Sequence, residues 1–241
     1  MRASNNFSFF VLLFTLDSMR TIITDYLPLD KPLVIFDLET TGLSSGSDRI
    51  IEIAYEKILP SGEIIAECRR INPGMPIPAD STRINGIHDE DVKDEPSFTK
   101  LSYELWSAFE GVDVGGFNVL GFDLPFLRGE FSSVGKSFEF SQRKVLDAKI
   151  LYHKVVPRDN FAPRNLSAAY KLYCGKPHVT AHTGAGDVRV TVEILEKLLE
   201  KHSEFRSWDA ITELNGQKKL LESAKTEHAS LVTGTSTGTL F

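Results

Sequence analysis

Hydrophobic positions along the chain fall into short runs broken by turn-forming residues. Pro32-Leu33-Val34-Ile35-Phe36-Asp37-Leu38-Glu39 is an apolar run that stops at Thr40-Thr41-Gly42, the pattern of a buried strand ending in a turn. The segments Arg49 to Lys57 and Glu63 to Ile71 flank Pro60-Ser61-Gly62 and predict a hairpin. An irregular Pro-rich stretch, Pro73 to Pro78, leads to a helical pattern over Phe98 to Phe109. Beyond it the pattern predicts a strand at Val112 to Asn118, a helix from Asp123 to Val134 and a strand at Lys144 to Asp147. Helices follow from Leu166 to Tyr173 and, with an amphipathic repeat, from Ala185 to Lys201. Meandering strands followed by alternating helices and strands predict an α/β domain with a mixed sheet.

The ends lie outside this pattern. Phe7 to Leu16 is apolar but far shorter than the ~20 residues that span a bilayer. Only Arg2 precedes it and no small-residue cleavage site follows, which disfavours a secretory signal. Met19 offers an alternative start, so residues 1–30 are read as an N-terminal extension, disordered or from a misassigned start. Residues 31–203 hold the folded domain, and residues 204–241 a C-terminal helix and a flexible tail of small polar residues, Thr233 to Thr239. The terminal Leu240-Phe241 loosely resembles the hydrophobic end of peptides that dock on bacterial sliding clamps; an unstructured terminus is the simpler reading.

Composition narrows the chemistry. The 241 residues carry 27 Lys+Arg and 33 Asp+Glu, a formal net charge of −6, so the chain cannot grip a polyanion by bulk positive charge. Any nucleic-acid partner must be held locally, by metal ions or clustered basic residues. With 41% hydrophobic and 25% charged residues, disorder and fibrous architectures are excluded. The cysteines, Cys68 and Cys174, are far apart and form neither a disulfide framework nor a zinc motif, which fits a reducing compartment and a cytoplasmic location.

Asp37 and Glu39 lie two apart on one strand, so both project from the same face with Cα atoms roughly 6.6 Å apart. Two acids at a strand's C-terminal end suit a divalent cation of the hard, oxygen-loving kind, Mg²⁺ or Mn²⁺. Incidental acids at a solvated strand end explain the pair equally well. Asp123 stands where a helix begins and Asp187 at the start of another; both also fit a capping role. His182 precedes Asp187 by five residues, and by itself reads as a surface loop residue.

Taken together, Phe36-Asp37-Leu38-Glu39-Thr40-Thr41-Gly42-Leu43, the Asn118 to Asp123 segment, and His182 with Asp187 resemble the three motifs of the DnaQ-like, DEDDh-type 3'-to-5' exonucleases. This family includes the proofreading epsilon subunit of bacterial DNA polymerase III. The resemblance runs over residues 31–201 and takes in Ile84-Asn85-Gly86-Ile87-His88-Asp89-Glu90-Asp91-Val92 and Val145-Leu146-Asp147. It implies a ribonuclease H-like mixed five-stranded sheet flanked by helices, with residues 31–203 as the exonuclease domain.

The resemblance also implies two Mg²⁺ or Mn²⁺ ions. Asp37 would bridge both, Glu39 and Asp187 would complete the site of the attacking water, and Asp123 would support the second ion. His182 would be the general base, a role suited to an imidazole near neutral pH. Thr40 and Thr41 would meet the terminal nucleotide's 3'-OH, Leu43 would wedge against its base, and Asn118 would orient substrate or the Asp123 loop. Expected partners are single-stranded 3' ends, DNA ahead of RNA, with a DNA polymerase or sliding clamp as protein partner. RNA 3'-end trimming is the alternative within the family. In two places the chain departs from the family pattern: Gly184-Ala185-Gly186 between histidine and aspartate predicts a looser start to the helix, and Phe117 stands before Asn118 where many relatives have histidine.

Thr183-Gly184-Ala185-Gly186-Asp187 also matches the anion-hole signature of ribokinase-type sugar kinases. That family's early Gly-Gly motif is missing and His182 stands where it has an acid, so the kinase is a remote alternative. A haloacid-dehalogenase-type phosphatase needs Asp where Glu39 stands and is weaker still.

Overall fold

The structure is a computed structural model that describes residues 20–139, 141–158 and 163–216. The N-terminal apolar run, Met19 and the Leu240-Phe241 terminus lie outside the described residues.

The predicted strands pair into one sheet. β1 (Leu33–Thr40), β2 (Ile50–Ile58), β3 (Ile64–Arg70), β4 (Asp113–Gly116) and β5 (Val145–Asp147) stand in the order β3-β2-β1-β4-β5. β1, β2 and β3 pair antiparallel, as the hairpin pattern requires, whereas β4 lies parallel to β1 and β5 parallel to β4. This is the mixed five-stranded sheet expected from the sequence.

The described helices are α1 (Ile23–Tyr26), α2 (Ala79–Asn85), α3 (Asp89–Val92), α4 (Phe98–Phe109), α5 (Asp123–Ser133), α6 (Ala148–Val155), α7 (Leu166–Cys174), α8 (Gly184–Lys201) and α9 (Trp208–Leu214). The strand period of two sorts side chains between two cores. Val34, Phe36 and Leu38 of β1 pack with α4 and α5 through Leu105, Phe109, Leu124 and Phe131; Phe36 and Phe109 meet edge to face at 5.2 Å. Leu33 and Ile35 face the opposite side, against Leu151 of α6, Tyr170 of α7, and Val188, Val192 and Leu195 of α8. Asp37 and Glu39 continue this second row, past its apolar end and toward the start of α8.

Sequence periodicity did not announce α1, α2, α3 or α6. The helix α6 follows β5 without a loop because Asp147, the last residue of the strand, caps the helix by accepting from Lys149 N and Ile150 N. The packed core reaches past residues 31–203: Ile23 and Leu27 on one side and Phe205 and Ile211 on the other are fully buried in the same cluster as α8.

Candidate active site

A cleft of about 470 Å³ opens at the C-terminal end of β1. Its lining includes Asp37, Glu39, Asp123, His182 and Asp187, together with Thr40, Thr41, Leu43 and Asn118. Every site residue expected from the sequence therefore reaches one place.

The carboxylates converge because two elements end there. Asp37 and Glu39 come from β1, and Asp187 from the first turn of α8. Ligand oxygens of these three residues lie within 4.8 Å of one another. Asp123, at the first position of α5, is 2% exposed and accepts a hydrogen bond from Leu38 N at 3.1 Å. That bond ties α5 to β1 over 85 residues of sequence. Asp123 is not a side-chain N-cap of its helix, since Phe122 holds that position. Asp187 does satisfy backbone, accepting from His182 N at 3.3 Å.

One acid went unnoticed in the sequence. Glu52 of β2 stands opposite Glu39 in the β1–β2 register. It is buried, its Oε1 accepting from Gly184 N at 3.1 Å and its Oε2 from Arg70 Nε at 3.3 Å. A charged residue inside the apolar run Ile50-Ile51-Glu52-Ile53 was its sequence signal. Glu52 also occupies the amide of Gly184, so the backbone there does not form the free anion hole that a kinase would need.

Burial raises the pKa of these acids, and neighbouring acids add to it for Asp37, Glu39 and Asp123. Burial lifts Asp37 well above the usual carboxylate range, and the charges of Asp123, Asp187, Glu39 and Glu52 add to it. Burial, then Asp187 and Glu52, push Glu39 up to about 7, against a hydrogen bond from Asn85. Burial pushes Asp187 up to about 7, opposed by the His182 amide. Asp123 is raised by burial despite the Leu38 amide. Carboxylates this close cannot all ionise at neutral pH without a cation among them. Their all-oxygen donor set fits hard divalent ions, and Asp37, Glu39 and Asp187 are the residues that could hold one.

The start of α8 is close-packed, contrary to the looseness its glycines suggested. A Cβ on Gly184 would come within 3.0 Å of Glu52 Oε1, and one on Gly186 within 2.5 Å of both Thr180 Oγ1 and Thr183 Oγ1. The glycines let α8 press on β2 and on its own preceding turn. That turn presents His182, exposed on the cleft wall with φ 65°. Asn118, across the cleft, has φ 71°. Among the described residues these are the only non-glycines with positive φ, and such left-handed backbone concentrates at functional sites.

Asp147 holds the Asn118 turn. Its Oδ1 accepts from Asn118 N at 3.1 Å and its Oδ2 from Leu120 N at 3.2 Å, in addition to capping α6. Asn118 Oδ1 accepts in turn from Lys149 Nζ at 3.1 Å, which brings a cation to the cleft's edge. Thr40 donates to Gly42 O at 2.6 Å, and Thr41 Oγ1 accepts from Arg49 N at 2.9 Å. Both hydroxyls thus brace the loop after β1. Leu43 stands 85% exposed on that loop and Ile84 of α2 52% exposed; with Phe117 and Phe122 they give the acidic floor an apolar rim.

His178 lies in the loop before α8, where its side chain is only 2% exposed and its Nε2 is 3.0 Å from Asp187 Oδ1. Burial and the neighbouring His182 lower its pKa, so the ring is neutral at pH 7.

Comparison with known proteins bears on the family and the fold. A family model described as an exonuclease, RNase_T, matches residues 34–195. A DNA polymerase III subunit epsilon-like protein of Rhodobacter capsulatus is 34% identical over 177 residues, covering 71% of this chain and 24% of that protein. The DNA polymerase III subunit epsilon of Treponema pallidum is 30% identical over 171 residues, covering 70% of this chain and 76% of that one. The chain spans less than a quarter of some longer relatives, such as 13% of a PolC-type DNA polymerase III of Caldanaerobacter subterraneus. Escherichia coli exonuclease I in complex with a dT13 oligonucleotide shares the fold with TM-score 0.61 at 18% identity, over 69% of this chain and 40% of that one. Exonuclease X in complex with 5' overhanging duplex DNA shares it with TM-score 0.56 at 18% identity, over 76% of this chain and 98% of that one.

Proposed function

The chain belongs to the RNase_T exonuclease family, and on that premise we propose that it removes nucleotides one at a time from the 3' end of single-stranded DNA, releasing nucleoside 5'-monophosphates. The observation that carries this reading is the meeting of Asp37, Glu39 and Asp187 oxygens within 4.8 Å in a cleft that also presents His182. Asp37, Glu39 and Asp187, with Asp123 beside them, would hold two Mg²⁺ or Mn²⁺ ions, which would supply Lewis acidity for the phosphoryl oxygens and a more acidic water.

The remaining work falls to the chain's own residues. His182 is exposed to the cleft, free to take the proton from the attacking water as its oxygen bonds to phosphorus and the 3'-oxygen of the penultimate nucleotide leaves. Asp187 fixes the backbone of His182 through the 3.3 Å hydrogen bond to its amide. Leu43 and Ile84 offer exposed apolar surface on which a splayed terminal base can stack. Lys149, beside Asn118, offers positive charge to a neighbouring phosphate. A substrate so held is one strand end, consistent with an acidic protein that lacks a general affinity for polyanions.

DNA is favoured by the polymerase relatives and by the oligonucleotide complex of exonuclease I. The same relatives support association with a replicative polymerase. Among the described residues no helix is long and apolar enough to cross a membrane. Matched 5'-labelled DNA and RNA oligonucleotides, incubated with purified protein and Mg²⁺ or Mn²⁺, test the proposal. DNA shortens stepwise from its 3' end and Asp37→Ala abolishes the ladder; faster RNA shortening would overturn the substrate assignment, and inert wild-type protein the nuclease mechanism.

A further inference from the structure

A second histidine, nine residues before Asp187, is built against the acidic cluster from behind. The His178 side chain is 2% exposed, and its ring packs edge-on to Tyr170 of α7 with centroids 5.9 Å apart. Its Nδ1 is 3.4 Å from Ser167 Oγ, also on α7. Its Nε2 is 3.0 Å from Asp187 Oδ1, yet has no aligned hydrogen-bond partner. A buried imidazole N–H without an acceptor is costly, and the nearest acceptor is that carboxylate.

The contacts to Asp187 are one-sided. The amide of His182 and the Nε2 of His178 both approach Oδ1, while among the described residues no such contact is made to Oδ2. A carboxylate approached at one oxygen keeps its other oxygen for a cation, and the buried ring stands beside the approached one. Ser167 completes the arrangement: with its hydroxyl near Nδ1, the ring keeps its proton on Nε2, toward Asp187.

We propose that His178 is a positioning residue that orients the Asp187 carboxylate toward the divalent cation, through a Ser167–His178–Asp187 chain linking α7 to α8. His178 itself touches neither cation nor substrate. The inference rests on the metal-dependent nuclease reading above.

Mn²⁺ binding to the purified full-length protein without nucleic acid, followed by electron paramagnetic resonance of the free ion, tests it. His178→Leu keeps the buried bulk and removes the N–H; His178→Gln places an N–H at comparable reach. His178→Leu weakens Mn²⁺ binding by about 10-fold, the size usual for partners of metal ligands, and His178→Gln recovers most of the loss. A Leu variant that binds Mn²⁺ like wild type overturns the proposal. So does a Gln variant as weak as the Leu variant, because packing alone would then explain the loss. Wild-type protein that binds no Mn²⁺ would instead overturn the metal reading on which the proposal rests.

Discussion

Replacing Glu39 by glutamine in the metal-free protein removes one negative charge from the cluster while keeping the side chain's size and its ability to accept from Asn85. In the folded protein Glu39 titrates at about 7 rather than 4.5, so between those pH values the native state binds more protons than the unfolded chain. Stability of the metal-free protein therefore falls as pH rises through this window; the penalty is absent below about pH 4.5 and complete above about pH 7. The full gap corresponds to about 3 kcal/mol. Glu39 is half-buried and shares its repulsion with Asp187 and Glu52, so about 1–2 kcal/mol survives as a difference between variant and wild type. For a protein of this size that is a rise in melting temperature of roughly 3–6 °C. The assay is thermal denaturation in chelator at pH 8 and at pH 4.5, repeated with Mn²⁺. Glu39→Gln melts higher than wild type at pH 8 and together with it at pH 4.5, and Mn²⁺ raises wild type by more than the variant. A variant that melts no higher than wild type at pH 8 without metal would refute the claim that burial and the neighbouring acids penalise a charged Glu39 there.

Other residues give sharper structural tests. Gly186→Ala places a Cβ within 2.5 Å of Thr180 Oγ1 and Thr183 Oγ1; it displaces the His182 turn, destabilises by about 1–3 kcal/mol, and lowers kcat more than KM in oligonucleotide digestion. Asp147→Ala strips acceptors from the amides of Asn118, Leu120, Lys149 and Ile150 and costs about 3 kcal/mol in urea denaturation, with faster hydrogen exchange at the Asn118 turn. Leu43→Ala removes exposed apolar surface, so KM for single strands rises several-fold while the melting temperature stays within about 1 °C of wild type.

The sequence by itself determined the elements whose signals are local. The apolar run from Leu33 marked a strand on which Asp37 and Glu39, two apart, share a face, and the paired apolar runs around Pro60-Ser61-Gly62 predicted the hairpin. The three spaced motifs brought Asp123, His182 and Asp187 to the same chemistry before any coordinates. Short elements such as α2 and α6 carry too few turns for a readable period, and α6 starts on a residue that also ends a strand. Only the tertiary structure decided what depends on approach between distant segments. Asp123 serves β1 by a bond to Leu38 N, Glu52 meets Gly184 across 132 residues of sequence, and glycines that read as slack in the chain are points of closest contact. The burial of His178 against Asp187 is of the same kind, since a buried ring and an exposed one look alike in a string of letters. Periodicity is fixed by bonded neighbours within a turn or a pleat; burial, register and the direction of a carboxylate are fixed by what the sheet and helices bring against them.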